Sequence, residues 1–155
     1  MRRRDREVVQ PEKMDEIIEC CEVLRLGLNA DDGPYIVPLN FGYAPGSPAK
    51  FYFHGAKEGR KADMIGSGCK AGFELDTGHR LGTAELGCKH TYFYRSVVGT
   101  GLVEPVTNLE EKKQALRLIM AHYRKDRAFS FTDEQAGSVA VFCLTVETCS
   151  GKEHT

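Results

Sequence analysis

The chain has 155 residues, 41% apolar and 28% charged, with a formal net charge of −1; this fits one domain over residues 1–155 whose core needs no disulfide or metal staple. Near-neutrality argues against a nucleic-acid partner, which would require clustered cations; the one basic run, Arg2-Arg3-Arg4, sits beside Asp5 and Glu7 and reads as a solvated terminus. No apolar run approaches the ~20 residues that cross a bilayer, and no apolar segment follows the charged N-terminus, so neither a membrane nor export is indicated and the cytoplasm is the expected location.

Residues 11–22 have helical periodicity, with Pro11 in the first turn and Met14, Ile17, Ile18 and Cys21 on one stripe. Leu24, Leu26 and Leu28 then alternate with Arg25, Gly27 and Asn29 as in a strand. Asp31-Asp32-Gly33 marks a turn, and Tyr35–Tyr43 reads as the returning strand. Pro38 within it points to an edge position or an irregular backbone. After the Pro45-Gly46-Ser47-Pro48 turn, Lys50–His54 is a short aromatic strand. Gly55–Glu58 forms a loop, and a short helix runs from Gly59 to about Ile65. Ala71–Leu75 is a further strand, followed by a long loop over 76–91. Tyr92–Val106 is a long strand in which Gly99 and Gly101 mark a bulge or a close backbone approach. Residues 109–125 form the clearest helix, with Asn108 as N-cap and Glu111 at the capping-box position. Val139–Val146 closes the chain as a buried strand. About six strands with hairpin connections and no βαβ rhythm predict a β-rich α+β fold, a small barrel with peripheral helices.

The six cysteines, at 20, 21, 69, 88, 143 and 149, show no CxxC spacing and read as free thiols, several of them buried as small apolar groups. His79, Cys88 and His90 fall in the long loop, and with Cys69 they do not form a recognised zinc frame. His122, on the long helix, reads as structural.

The segment most informative about chemistry is Phe51-Tyr52-Phe53-His54-Gly55-Ala56-Lys57-Glu58-Gly59-Arg60-Lys61. An aromatic strand ends in a glycine loop, and a helix begins at Gly-Arg-Lys. Free N–H groups at a helix start, with Arg or Lys beside them, suit a phosphate monoester or diphosphate. The alternative is that Arg60 and Lys61 only solvate an exposed helix. The segment is neither a Walker A loop nor a dinucleotide fingerprint.

Pro34-Tyr35-Ile36-Val37-Pro38-Leu39-Asn40-Phe41, followed by Phe53–Lys61, resembles the pyridoxamine 5′-phosphate oxidase-like flavoproteins. The closer resemblance is to their nitroimidazole-resistance (Nim-type) branch. Tyr94-Arg95-Ser96-Val97-Val98-Gly99-Thr100-Gly101 and Ser150-Gly151-Lys152-Glu153 strengthen it, and the similarity runs from about Arg3 to Glu153. It implies a six-stranded antiparallel split β-barrel that dimerises and holds FMN at the subunit interface, with FAD as the alternative cofactor. The backbone of Val37, Pro38, Leu39 and Asn40 would lie against the flavin ring. His54 and Gly55 would line the ribityl–phosphate side, and Arg60 and Lys61 would bind the phosphate. Ser96 would make a polar flavin contact, and Lys152 would reach the site from the neighbouring chain.

His54 is the candidate catalytic residue, with a positioning hydrogen bond as its simpler role. The implied activity is that of an FMN-dependent oxidoreductase acting on a small molecule, a nitro-aromatic compound by resemblance. The chain stops at Thr155 without the C-terminal substrate segment of the vitamin B6 oxidases, so pyridoxamine phosphate oxidation is not the expected reaction. Two other readings are a flavin-binding redox sensor without turnover and a haem-handling split barrel.

Overall fold

The computed structural model describes residues 3–155. Arg2 of the basic run lies outside them, while Arg3 forms a two-point ion pair with Asp5 at 2.8 and 2.7 Å on the surface. After β1 (Glu7–Val8), helix α1 (Pro11–Glu19) buries Ile17 and Ile18. It ends three residues earlier than its periodicity suggests. Its last turn tightens, so that Cys21 N–H donates to the Ile18 carbonyl three residues back.

Strand β2 (Leu24–Leu28) buries all three of its leucines and pairs with β3 (Tyr35–Leu39). The expected single strand over Tyr35–Tyr43 is broken. Asn40 and Phe41 leave the sheet, and the chain resumes as β4 (Gly42–Ala44), which pairs only with β5 (Lys50–Gly55). The sheet order is β3-β2-β6-β7-β8-β5-β4, with β1 attached to β8. Strands β3 and β4 are therefore the two edges of one curled sheet, joined in sequence by two residues. This is an antiparallel split barrel, as expected, but its sheet has eight strands rather than six. Breaking Tyr35–Tyr43 adds one, and the two-residue β1 adds the other.

The long ribbons exceed the sequence reading. β6 (Cys69–Gly82) and β7 (Thr91–Pro105) continue as a hairpin through half of the expected loop over 76–91. Their register shifts between Thr77 and Arg80, where Gly78 takes φ +69°. Strand β8 (Ala140–His154) runs eight residues past Val146. It bulges opposite Thr100 and Gly101, where the glycine pair predicts an irregularity.

Two cores result. The barrel interior is filled by residues such as Leu24, Leu26, Phe41, Phe51, Phe53, Phe73 and Leu144. The second core lies outside the barrel, where Tyr52, Val141 and Cys143 pack against α3 (Leu109–Tyr123) and α4 (Asp133–Ser138). Asn108 caps α3 by accepting the Glu111 N–H at 3.0 Å. The reciprocal capping box forms instead on α4, between Thr132 and Gln135. α3 lies directly on β4: a Cβ at Gly42 would sit 2.5 Å from the Ile119 nitrogen.

Helix α3 also pins the break between β3 and β4. The Tyr123 hydroxyl accepts the Phe41 N–H at 3.1 Å and donates to the Glu22 carbonyl at 2.7 Å. Tyr123→Phe leaves both backbone groups without that partner and should cost ~1–3 kcal/mol. A urea-unfolding midpoint equal to that of the wild type would refute this role for the hydroxyl.

Candidate functional site

The sequence segment of interest folds as the end of β5, a four-residue connection and helix α2 (Arg60–Ile65). Phe53 is fully buried in the barrel, whereas His54, by strand alternation, lies on the outer face with Tyr52. Gly59 precedes α2 at φ +112°, a conformation that favours glycine, and no side chain caps the helix.

Lys61 is the distinctive group. It is half-buried, and its Nζ lies 5.6 Å from the Phe53 ring centre and 5.8 Å from that of Phe142. Its polar contact is the His54 carbonyl, at 3.3 Å. Among the described residues, no carboxylate forms a salt bridge with it. Burial pushes its pKa down from the ordinary lysine value. The amine occupies the space a side chain at residue 55 would need: a Cβ on Gly55 would lie 2.6 Å from Nζ. Gly55 therefore makes room for a partly desolvated cation without a counter-ion.

Arg60 is already engaged. Its Nη2 bonds Asp32 Oδ1 at 2.6 Å, and its guanidinium lies 4.7 Å over the Tyr35 ring. It thereby ties α2 to the β2–β3 turn and to the start of β3. From Tyr35, the expected ring-facing residues Val37, Pro38 and Leu39 run along the sheet edge and Asn40 follows just past its end, roughly 17 Å in all. Pro38 faces Arg25 on the one neighbouring strand, and the other side of β3 is unpaired in the sheet.

His54 is solvent-accessible, yet its pKa is lowered, first by partial burial and second by the Lys61 charge. Its imidazole is therefore neutral near pH 7. Beside this strand end opens a cavity of about 380 Å³, walled by Ala62, Val141 and Phe142 and bordered by Lys57 and Lys112. The sequence reading assigned no role to these two lysines. Lys57 could have been found from its place between Gly55 and Gly59. Lys112 comes from α3, where its spacing looks like an ordinary solvated face.

Ser96 and Lys152 lie elsewhere. They are directly opposed on β7 and β8, with Asp76 opposite Ser96 on the other side. Three inter-strand steps of about 4.8 Å separate β7 from β3, or roughly 14 Å. Within one chain, then, the predicted residues form two groups: β3 with the β5–α2 connection, and the Ser96/Lys152 pair.

The family model for pyridoxamine 5′-phosphate oxidase matches residues 10–153. A solved structure from Bacteroides thetaiotaomicron VPI-5482, provisionally described as a 5-nitroimidazole antibiotic resistance protein, is 31% identical. The match covers 94% of this chain and 85% of that one, with a TM-score of 0.80. The FAD and heme binding protein of Mycobacterium smegmatis shares the fold at TM-score 0.79 and 16% identity, over 96% of this chain and 73% of that one. A FAD-binding protein of Mesorhizobium loti does so at 0.65 and 19%, over 95% and 96%. A search of the curated proteins returns no match.

The cause of the His54 shift is testable. Lys61→Ala removes the smaller of its two causes, so the His54 pKa should rise toward 6.5, read by NMR titration of its ring Cε1–H; an unmoved pKa would show that the amine does not act on His54. The same shift gives a sign for stability. Below about pH 6.5 the unfolded chain takes up a proton that folded His54 resists, so stability falls with pH through that window. His54→Gln should flatten this fall.

Proposed function

The chain belongs to the pyridoxamine 5′-phosphate oxidase family, and we propose that it is an FMN-dependent oxidoreductase whose phosphate site is built around Lys61. The observation that carries this reading is the Lys61 amine, partly desolvated, uncompensated by a carboxylate and given its place by Gly55. A phosphate monoester fits such a group, because a charge-assisted bond in a partly dry site is stronger than one in water. Lys57 and Lys112 add positive charge at the same strand end. Arg60 would join by exchanging Asp32, since an exposed ion pair of this kind contributes only ~0–1 kcal/mol.

The unpaired side of β3 suits the polar edge of a flavin ring, with backbone N–H and C=O groups of Val37, Leu39 and Asn40 as its partners. The chemistry a bound FMN supplies is hydride or single-electron transfer, while the protein binds, orients and sets the local field. Neutral His54 fits a hydrogen-bonding role at the ribityl–phosphate end. The similarity to the Bacteroides protein favours nitro-aromatic compounds as substrates.

A homodimer accounts for the two separated groups of residues. The outer sheet face carries Ile36, 63% exposed, and Val98, 44% exposed. In register with Ile36, the paired Gly27 and Gly72 leave a strip without side chains that ends at Thr100, suited to close approach by another chain. Pairing through this face would bring Ser96 and Lys152 of one chain toward the flavin of the other.

The protein as purified should show flavin absorbance. Lys61→Ala should weaken flavin binding by roughly 10- to 150-fold, the loss of one charge-assisted contact of ~1.5–3 kcal/mol. Unchanged affinity would move the phosphate elsewhere. Anaerobic bleaching by NADH or NADPH, then reoxidation by a nitroimidazole above the buffer rate, tests the reaction; no reoxidation above that rate rejects the nitroreductase assignment.

A further inference from the structure

The mouth of the barrel holds a second cavity, independent of the flavin reading. It lies beneath α1, about 20 Å along β5 from Gly55, counting from Ala49 at its edge. Its floor is the barrel interior itself, where Phe51, Phe73 and Val97 are all buried. Met14 and Ile18 of α1 form one wall, and Val146 of β8 forms the opposite one.

Three features give this space a chemistry. Its volume is about 180 Å³. That exceeds the ~150 Å³ of an apolar cavity able to hold benzene. Its aromatic lining is graded: Tyr43 lies 5.1 Å from Phe51 at an interplanar angle of 36°, and Phe51 lies 5.2 Å from Phe73 at 52°. A flat ring can meet these at offset or edge contacts. Finally, polar groups converge at one point. The Tyr43 hydroxyl donates to Asp15 Oδ1 at 2.5 Å, and both residues line the cavity.

That hydrogen bond sets what the rim can recognise. Burial, then the bond to Asp15, raises the Tyr43 pKa, so the phenol remains a donor and its proton is committed to the carboxylate. Among the described residues, Asp15 Oδ2 receives no hydrogen bond from the protein. The rim therefore offers an acceptor, and a ligand's polar end must donate.

The geometry points to a binding site for a one-ring aromatic molecule carrying a hydrogen-bond donor, of phenol or aniline type. The ring enters between α1 and the Phe51–Phe73 floor, and its donor meets Asp15. Barrel mouths are a recurrent place for such sites, apolar with a few convergent polar groups. A negative carboxylate at the rim disfavours carboxylated and phosphorylated aromatics, which separates this site from the anion site near Lys61.

The test is a titration of the purified protein, flavin included, with p-cresol, followed by methyl NMR of Ile18, Val97, Val146 and Met14. Saturable shifts confined to these methyls are expected. Val146→Phe and Ala49→Leu, on neighbouring backbone joined by the Val146 N–H to the Ala49 carbonyl at 3.0 Å, each fill the space, and in either variant that folds the shifts should vanish. Toluene, of the same shape without the donor, should bind at least several-fold more weakly. No saturable shift with p-cresol, or shifts that survive in the filled variants, would overturn the site. Equal affinity for toluene would overturn the role of Asp15. Flavin absorbance followed in the same samples reports separately on the Lys61 site, so failure of one reading does not imply failure of the other.

Discussion

Asn40 and Phe41 carry the chain from one edge of the sheet to the other. Because β3 and β4 are consecutive in sequence yet lie at opposite ends of the strand order, the sheet must curl until its edges nearly meet. No ladder of hydrogen bonds closes that seam. Phe41 closes it with a side chain: it is fully buried, 5.7 Å from Phe51 and 4.2 Å from the His122 ring. Burial of an aromatic ring of this size contributes on the order of 2–3 kcal/mol, more than the net worth of one backbone hydrogen bond. The seam is therefore held by packing, and the Phe41 N–H within it is met by the Tyr123 hydroxyl.

The same constraint explains where α3 goes. Its last turn supplies His122 to the Cys21 carbonyl at 2.7 Å and Tyr123 to Glu22, so it ties the start of β2 to the break before β4. Gly42 then lets the helix backbone rest directly on β4. Fixing β4 fixes the start of β5, and the far end of β5 is where His54, Gly55 and Lys61 meet. β4 reaches only Lys50–Tyr52, whereas β8 pairs with all of β5, with Val141 opposite His54 and Ala140 opposite Gly55, so β8 holds the end of the strand that carries the amine's neighbours.

Much of this was legible because the barrel's inner face keeps a period of two. Tyr35, Val37, Leu39, Phe41 and Tyr43 all face or pack against the same core, so the alternation passes through Asn40-Phe41 without interruption. For that reason the break itself was invisible. The ends of β6 and β8 were missed for the opposite reason. Residues 78–82 and 147–149 are polar or exposed on both faces, so the strand carries no alternation to read. α4 has six residues and no stripe; its Thr132–Gln135 capping box was the available signal. At the candidate site, Lys61 and Gly55 were legible because they are neighbours in sequence. The Arg60–Asp32 pair spans 28 residues, and Lys112 arrives from a different element, so both depend on the tertiary fold.

The separation of Ser96 and Lys152 from β3 has a further consequence for how a ligand could use them. Both lie on the outer sheet face, across β2 and β6 from the edge strand. Curling the sheet more tightly would not bring them closer, because an outer face diverges as its sheet curls. A second chain laid against that face would offer its own copies of these residues to a ligand on β3. In a two-fold arrangement each patch meets its own copy, so one such contact would create two equivalent sites. The charges on this face are compatible with that. Arg25 is held by Glu74 at 2.9 Å and by Asp76 at 2.6 Å within its own sheet. Its cation is thus satisfied before any partner arrives, and beside this cluster the face offers a second copy Ile36, Val98 and the Gly27–Gly72 strip. Association through it would bury apolar surface and this ion-paired cluster together, and desolvation of the charges would offset part of what the apolar burial contributes.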